Sequence, residues 1–263
     1  MEIDIQPLIS HLRAYPLNTL YPLDFEKSNS TALVDIPNTL TWKNIVACPL
    51  EKRTYSNEPT FSLIVAKPSG TALIPRTLTD MAGEHFGIKE STRPFIAFPS
   101  HLESMEKGFW FYEHGVLPLI ACNPPKLALI HAEKYQSDAF LGSNETARLF
   151  MNELPLSIKY AHIIDEIYDP SVFNSFRERG IRTSFTLALP ETGSLGNLCQ
   201  DSATGEKLIF HTTPGTYLEL GNRTIVTKLS SLASPVLRYE TSIVTKNCSP
   251  ACLCAFSQSF TLL

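Results

Sequence analysis

Between residues 60 and 190 the chain alternates short apolar runs with helix-length stretches, and from about residue 206 it changes to short strands and turns. That order is the strongest constraint on its fold. Strand–helix alternation calls for a largely parallel sheet with helices packed on it, and a strand-rich end needs an antiparallel arrangement of its own. Apolar runs predict strands at Thr60–Ala66, Pro94–Phe98, Val116–Ala121, Ala139–Leu141, Ile158–Ile164 and Arg182–Leu189. Between them, helices are predicted over Thr77–Phe86, from Ser100 to His114, over Pro124–Lys134 and over Glu145–Glu153. Ser100 with Glu103 reads as a capping box. Asp169-Pro170 opens a further helix and Gly180 closes it. The β-rich end carries strands at Lys207–Phe210, Tyr217–Leu220, Arg223–Lys228 and Leu237–Thr245. Residues 1–58 are polar and weakly periodic, an irregular layer with a short helix at Leu8–Tyr15. The expected organisation is therefore an N-terminal layer (1–58), an α/β core (59–200) and a β-rich end (201–263), together one structural unit.

With 263 residues, 43% of them hydrophobic, the chain can bury a core without staples. A net charge of −4 argues against nucleic acid as the main partner. No run reaches the ~18 apolar residues of a membrane span. The acidic start, MEIDIQPL, lacks the basic character of a signal peptide, so the expected location is cytoplasmic. In that reducing setting, clustered thiols bind metal more often than they form disulfides. Cys48, Cys122, Cys199, Cys248, Cys252 and Cys254 are the six cysteines, and the last three crowd into the final sixteen residues. Only 12 glycines are present against 19 prolines, which weighs mildly against a glycine-rich phosphate cradle.

Four landmarks follow one another along the chain. The first is Pro68-Ser69-Gly70-Thr71-Ala72-Leu73-Ile74-Pro75-Arg76, expected as a loop between a strand and a helix. It resembles the T-S-G-T-T-G-x-P-K phosphate loop of adenylate-forming enzymes, the acyl-CoA ligases, luciferases and acyl-protein synthetases. Ile164-Asp165-Glu166, followed by a helix, resembles the segment that precedes the adenine pocket in that family. Leu187-Ala188-Leu189-Pro190-Glu191-Thr192-Gly193 resembles Y-G-x-T-E. Thr224-Ile225-Val226-Thr227-Lys228-Leu229 and Pro235-Val236-Leu237-Arg238-Tyr239-Glu240-Thr241 are similar to v-v-T-x-L and P-l-I-R-Y-x-T-G-D of the phenylacetate–CoA ligase branch. The resemblance spans about residues 60–255 and implies an α/β fold of layered sheets with flanking helices, like the large N-terminal domain of those enzymes. The family's small mobile C-terminal domain, which carries its catalytic lysine, is expected to be absent, with a partner domain in trans as one expectation.

The resemblance also implies a chemistry, in which a carboxylate attacks the α-phosphate of ATP and the resulting acyl-AMP passes its acyl group to a thiol. Ser69, Gly70, Thr71 and Arg76 would then hold phosphates, with backbone N–H groups and a cation facing the anion. Glu191 would hold Mg²⁺, with Thr192 and Arg238 beside the nucleotide. Three positions depart from the pattern. Leu73 replaces a glycine, Leu187 replaces the aromatic that stacks on adenine, and the Gly-Asp pair after Arg238-Tyr239-Glu240-Thr241 is missing. These departures favour a ligase-like protein with impaired catalysis, or a binding or scaffold protein derived from the family. The same resemblance implies a structural zinc site on Cys199, His211, Cys252 and Cys254, with Cys248 as the alternative third thiolate. Phe109, Trp110 and His114 are candidates for an acyl pocket, or core aromatics at helical spacing. Asp165-Glu166 reads as a strand end rather than a carboxylate pair, because neighbours on a strand face opposite ways.

Overall fold

The computed structural model describes residues 5–15, 20–21, 39–58, 60–77, 93–121, 125–199, 208–229, 233–248 and 258–263. They group into two compact units, one of residues 1–80, 190–192 and 201–263, the other of residues 81–189 and 193–200. The predicted helix at Thr77–Phe86 falls almost wholly outside the described residues.

The first unit opens with α1 (Gln6–Arg13) and α2 (Trp42–Ala47). It continues with a hairpin of β1 (Phe61–Lys67) and β2 (Gly70–Arg76), paired antiparallel from Phe61↔Arg76 to Lys67↔Gly70. Here the expectation of an open loop is corrected. Residues 70–76 form a strand, and only Pro68 and Ser69 turn between the two. The cause is local. Thr71 and Leu73 are exposed while Ala72 and Ile74 are buried, the period-two pattern of a half-buried strand. Pro68 presets the turn's φ, and Pro75 is tolerated because a two-stranded sheet has only edge strands.

The second unit contains β3 (Pro94–Ala97), α3 (His101–Glu113), β4 (Leu119–Ile120), α4 (Pro125–Lys134), β5 (Ala139–Gly142), α5 (Asn144–Phe150), β6 (Tyr160–Asp165), α6 (Pro170–Glu178), β7 (Arg182–Leu189) and β8 (Gly193–Leu198). Its strands lie side by side in the order β4-β3-β5-β6-β7-β8, parallel from β4 to β7 with β8 antiparallel at the end. β3 and β5 are buried at every residue, as parallel strands covered on both faces must be. Their apolar runs were readable for that reason. Asp169 caps α6 by accepting the Ser171 N–H at 2.8 Å, and Gly180 beyond its end takes φ +71°. The capping box at Ser100 does not form. The buried Ser104 Oγ instead accepts the Phe98 N–H at 2.9 Å, and Ser100 Oγ makes no cap bond. The reciprocal cap appears at α5, where Ser143 and Thr146 each bond the other's backbone N–H at 3.3 and 3.0 Å.

The chain then returns to the first unit with β9 (Phe210–Thr212), β10 (Thr216–Glu219), β11 (Ile225–Lys228), β12 (Tyr239–Glu240), β13 (Thr245–Asn247) and β14 (Ser259–Leu262). β10-β11-β12 form one antiparallel sheet, and β13 and β9 both pair with β14. The single strand expected over Leu237–Thr245 is broken into β12 and β13. Arg238, at φ +49°, lies outside the extended region and delays the start of β12, and between the two strands the Ile243 N–H turns back to Thr241 Oγ1 at 3.2 Å instead of pairing across the sheet. Tyr21 bolts the N-terminal layer to this end, donating its hydroxyl to Pro235 O at 2.7 Å and accepting the Leu237 N–H at 2.9 Å.

Candidate functional site

The residues around Glu191 form the most chemically pointed cluster. Pro190, Glu191 and Thr192 make the turn after β7, and they belong to the first unit. Glu191 is turned inward, and its side chain has no exposed surface. Lys67, the last residue of β1, pairs its Nζ with Glu191 Oε1, and the Tyr239 hydroxyl donates to the same oxygen at 3.0 Å. Glu191 Oε2 is buried and has no hydrogen-bond partner among the described residues. A buried carboxylate is stable only with a compensating cation and donors. Lys67 supplies the cation, and one oxygen lacks a donor.

Lys67 is held on a second side. Its Nζ lies 5.3 Å from the centroid of the Trp42 ring, within cation–π range. Trp42 Nε1 in turn donates to Gly70 O at 3.1 Å and pins α2 to the hairpin turn. Gly70 sits at φ +134°, and a Cβ there would meet Val46 Cγ1 at 3.1 Å. Both facts call for glycine at this point. Arg76, buried at the other end of β2, donates its Nη2 to Pro190 O at 3.1 Å.

The hairpin and the turn thus place Arg76 and Glu191 in one cluster. Ser69 and Thr71 stand exposed at the hairpin tip, and Thr192 is buried beside Glu191 in the chain. Arg238 is engaged elsewhere, its guanidinium bidentate on Glu219 at 2.9 and 2.9 Å. Lys67 and Trp42 escaped sequence reasoning, while Tyr239 was singled out only as part of the Arg238-Tyr239 stretch. The available signal was a lysine directly before Pro68-Ser69-Gly70-Thr71.

The residues present do not fit Mg²⁺–ATP as the resemblance draws it. The β1–β2 ladder leaves a turn of two residues where a cradle of free amides is needed. The carboxylate that would take a metal already carries an ammonium and a phenol.

The other predicted sites resolve differently. Cys252 and Cys254 lie outside the described residues. Among the described residues no group of three His, Cys, Asp or Glu is arranged to hold a metal. His211 Nδ1 bonds Ser259 Oγ at 2.9 Å, and among the described residues Cys48, Cys199 and Cys248 are not joined in disulfides. Trp110 is a core residue, packed with Phe98, Phe111, Leu141 and Ile164. His114 stacks on it at 4.1 Å and donates Nδ1–H to Trp110 O at 2.7 Å, while Phe109 is exposed. Asp165 ends β6 by accepting the Asn144 N–H at 2.9 Å and the Glu166 N–H at 2.7 Å, the strand-end role read from sequence.

A second polar cluster, in the second unit, had no sequence signature. His162 on β6 is 1% exposed, and burial pushes its pKa down to about 3. Its Nδ1 lies 2.6 Å from Ser184 Oγ and its Nε2 lies 3.0 Å from Thr186 Oγ1, which donates to Asn197 Oδ1 at 2.5 Å. Because Thr186 gives its proton to Asn197, it must accept from Nε2–H, so Ser184 donates to Nδ1. The chain of bonds is closed around a neutral imidazole.

The parallel sheet with its helices and the β-rich unit match the fold of the N-terminal domain of adenylate-forming ligases. The chain aligns over 98% of its length with an open conformation of 2-hydroxyisobutyryl-CoA ligase in complex with 2-HIB-AMP and CoA, at TM-score 0.70, 13% identity and 72% of that chain. It covers 65% of the same enzyme in its postadenylation state, at TM-score 0.68 and 12% identity. O-succinylbenzoate coenzyme A synthetase (MenE) from Bacillus subtilis aligns at TM-score 0.57 and 10% identity over 77% of this chain and 48% of that one. An arginine-to-lysine variant of MenE from E. coli with bound OSB-AMS gives 0.56 and 13% over 76% and 47%. The chain therefore spans about half to three quarters of these ligases. No protein-family model and no curated protein sequence matches it.

Proposed function

We propose that this chain is a divergent relative of the acyl-CoA and acyl-protein ligases, nearest the phenylacetate–CoA ligase branch. It binds an acyl group or a nucleotide at the rebuilt Glu191 site and does not adenylate a carboxylic acid by itself. The observation that carries this reading is the Lys67–Glu191 pair. It neutralises, from within the chain, the carboxylate that an adenylating enzyme of this kind would keep for its metal. The two-residue turn at Pro68-Ser69 supports it, since the amides of a phosphate cradle are drawn into a ladder. The structural relatives crystallise with 2-HIB-AMP, CoA or OSB-AMS, so an acyl-adenylate-like or thioester-like ligand is the class to try first.

The test is ATP–pyrophosphate exchange with a panel of carboxylic acids, beside calorimetric titration with ATP in Mg²⁺ and in EDTA. The expected result is no exchange, and any ATP binding equal in the two buffers. Exchange above the protein-free rate for any acid overturns the proposal. A second reading, an active ligase completed by a partner domain in trans, is favoured by the bare Glu191 Oε2, which is ready to accept from a ligand. Exchange that appears only when such a domain is added would establish it.

A further inference from the structure

We infer that Lys67 is a resident counter-cation that closes the Glu191 carboxylate to divalent metal ions, so that recognition at this site is metal-independent. The inference deepens the reading above and rests on it only for the class of ligand. The backbone register and two contacts of the ammonium hold it in place. The strand register ends β1 at the Lys67↔Gly70 pair, Glu191 Oε1 accepts from Nζ, and the Trp42 face lies 5.3 Å away. The carboxylate it meets is fully buried, whereas the Lys67 side chain is 21% exposed. Lys67 is therefore the cluster's opening to solvent.

A hard divalent ion on Glu191 needs free carboxylate oxygen and room for its remaining oxygen ligands, usually several waters. Oε1 is occupied by an ammonium and by the Tyr239 hydroxyl. Oε2 is bare, yet any cation bound there would face the ammonium across one carboxylate, where like charges repel in a poorly screened interior. Tyr239 cannot easily withdraw, because its strand is bonded to β11 and its neighbours bond Leu40, Leu40 N–H to Arg238 O at 2.9 Å and Glu240 N–H to Leu40 O at 2.8 Å.

The experiment is titration of the full chain with Mn²⁺ alone, read by the loss of free-ion paramagnetic resonance. The proteins are wild type, Glu191→Gln, Lys67→Met and Lys67→Met/Glu191→Gln. Wild type and Glu191→Gln are expected to behave alike. Lys67→Met is expected to gain one site, at least about tenfold tighter than any in wild type, and the double variant to lose it. A wild-type Mn²⁺ site abolished by Glu191→Gln overturns the inference, as does a folded Lys67→Met that gains none. If Lys67→Met does not fold, the double variant decides. Recovery of folding once both charges are gone supports a resident counter-cation, and failure to recover overturns it. None of these outcomes involves ATP, so they are separate from the fate of the exchange assay.

Discussion

The two polar clusters are built on opposite terms. Around His162 both ring nitrogens have hydroxyl partners, and burial keeps the imidazole neutral. Ser184, His162, Thr186 and Asn197 pass hydrogen bonds along one line. Around Glu191 a charge is buried, its counter-ion is partly exposed, and one oxygen has no donor among the described residues. A closed neutral network rigidifies the sheet it spans and asks for nothing from outside. An unfinished charged one is held together by its own attraction and still has a bond to offer. The first network is satisfied by hydrogen bonds between neutral groups, the second depends on an ion pair, and the contrast can be broken at several points.

The largest effect is expected from removing one charge. Lys67→Met strands a fully buried carboxylate and should cost about 3 kcal/mol of stability in urea unfolding. Adding Glu191→Leu should return most of it, because a buried ion pair is worth little against apolar residues of similar size. If the double variant is as unstable as the single one, the pair is not the self-contained unit described here.

Acidification tests the other cluster. Folded His162 titrates near 3, while an unfolded imidazole titrates near 6.5. In that window the unfolded chain binds the additional proton, so stability falls as the pH is lowered through it. The slope approaches roughly 1.4 kcal/mol per pH unit, so moving from about pH 7 to about pH 5 should cost about 2 kcal/mol. A His162→Gln variant should lose that part of the pH dependence. An unchanged slope would mean that the imidazole is not held neutral.

Thr186→Val probes the same line of bonds without touching the ring. It leaves His162 Nε2–H and Asn197 Oδ1 without their partner, at a cost of about 1–3 kcal/mol. The loss should be accompanied by a raised His162 pKa, visible by NMR, as the pocket loosens to admit water.

Much of this was legible in the sequence. The parallel strands are buried on both faces, so their apolar runs stand out, and the Asp169-Pro170 start and Gly180 stop of α6 are chemical signals read without tertiary context. The hairpin at Pro68–Arg76 was misread because a motif was weighed above its own alternation: Thr71, Ala72, Leu73 and Ile74 alternate exposed and buried. Strands β8 and β14 were missed for the opposite reason. Gly193–Leu198 holds two glycines, and Ser259–Leu262 is only four residues long, so neither advertises itself. Glu191 was found through the resemblance, but not its counter-ion. Lys67 lies 124 residues away, and only the fold brings the two together. The His162 network is invisible in principle, because its four members are common polar residues on three strands.

Gly70→Ala gives the smallest and most local effect on the charged cluster. The residue takes φ +134°, and a methyl group would press on Val46 Cγ1 at 3.1 Å. The expected cost is about 1 kcal/mol, from backbone strain and a forced shift of α2. Its value lies in what moves with it. Gly70 O holds Trp42 Nε1, and the Trp42 face backs the Lys67 ammonium. A small stability loss should therefore come with a change in Trp42 fluorescence, read in a Trp110→Phe background, and with weaker coupling between Lys67 and Glu191 in a double-mutant cycle. If coupling is unaffected while Trp42 fluorescence changes, the indole is a bystander and the ion pair alone holds Lys67. If both respond together, α2, the hairpin turn and the buried carboxylate act as one unit, and a ligand at Glu191 would be sensed at Trp42.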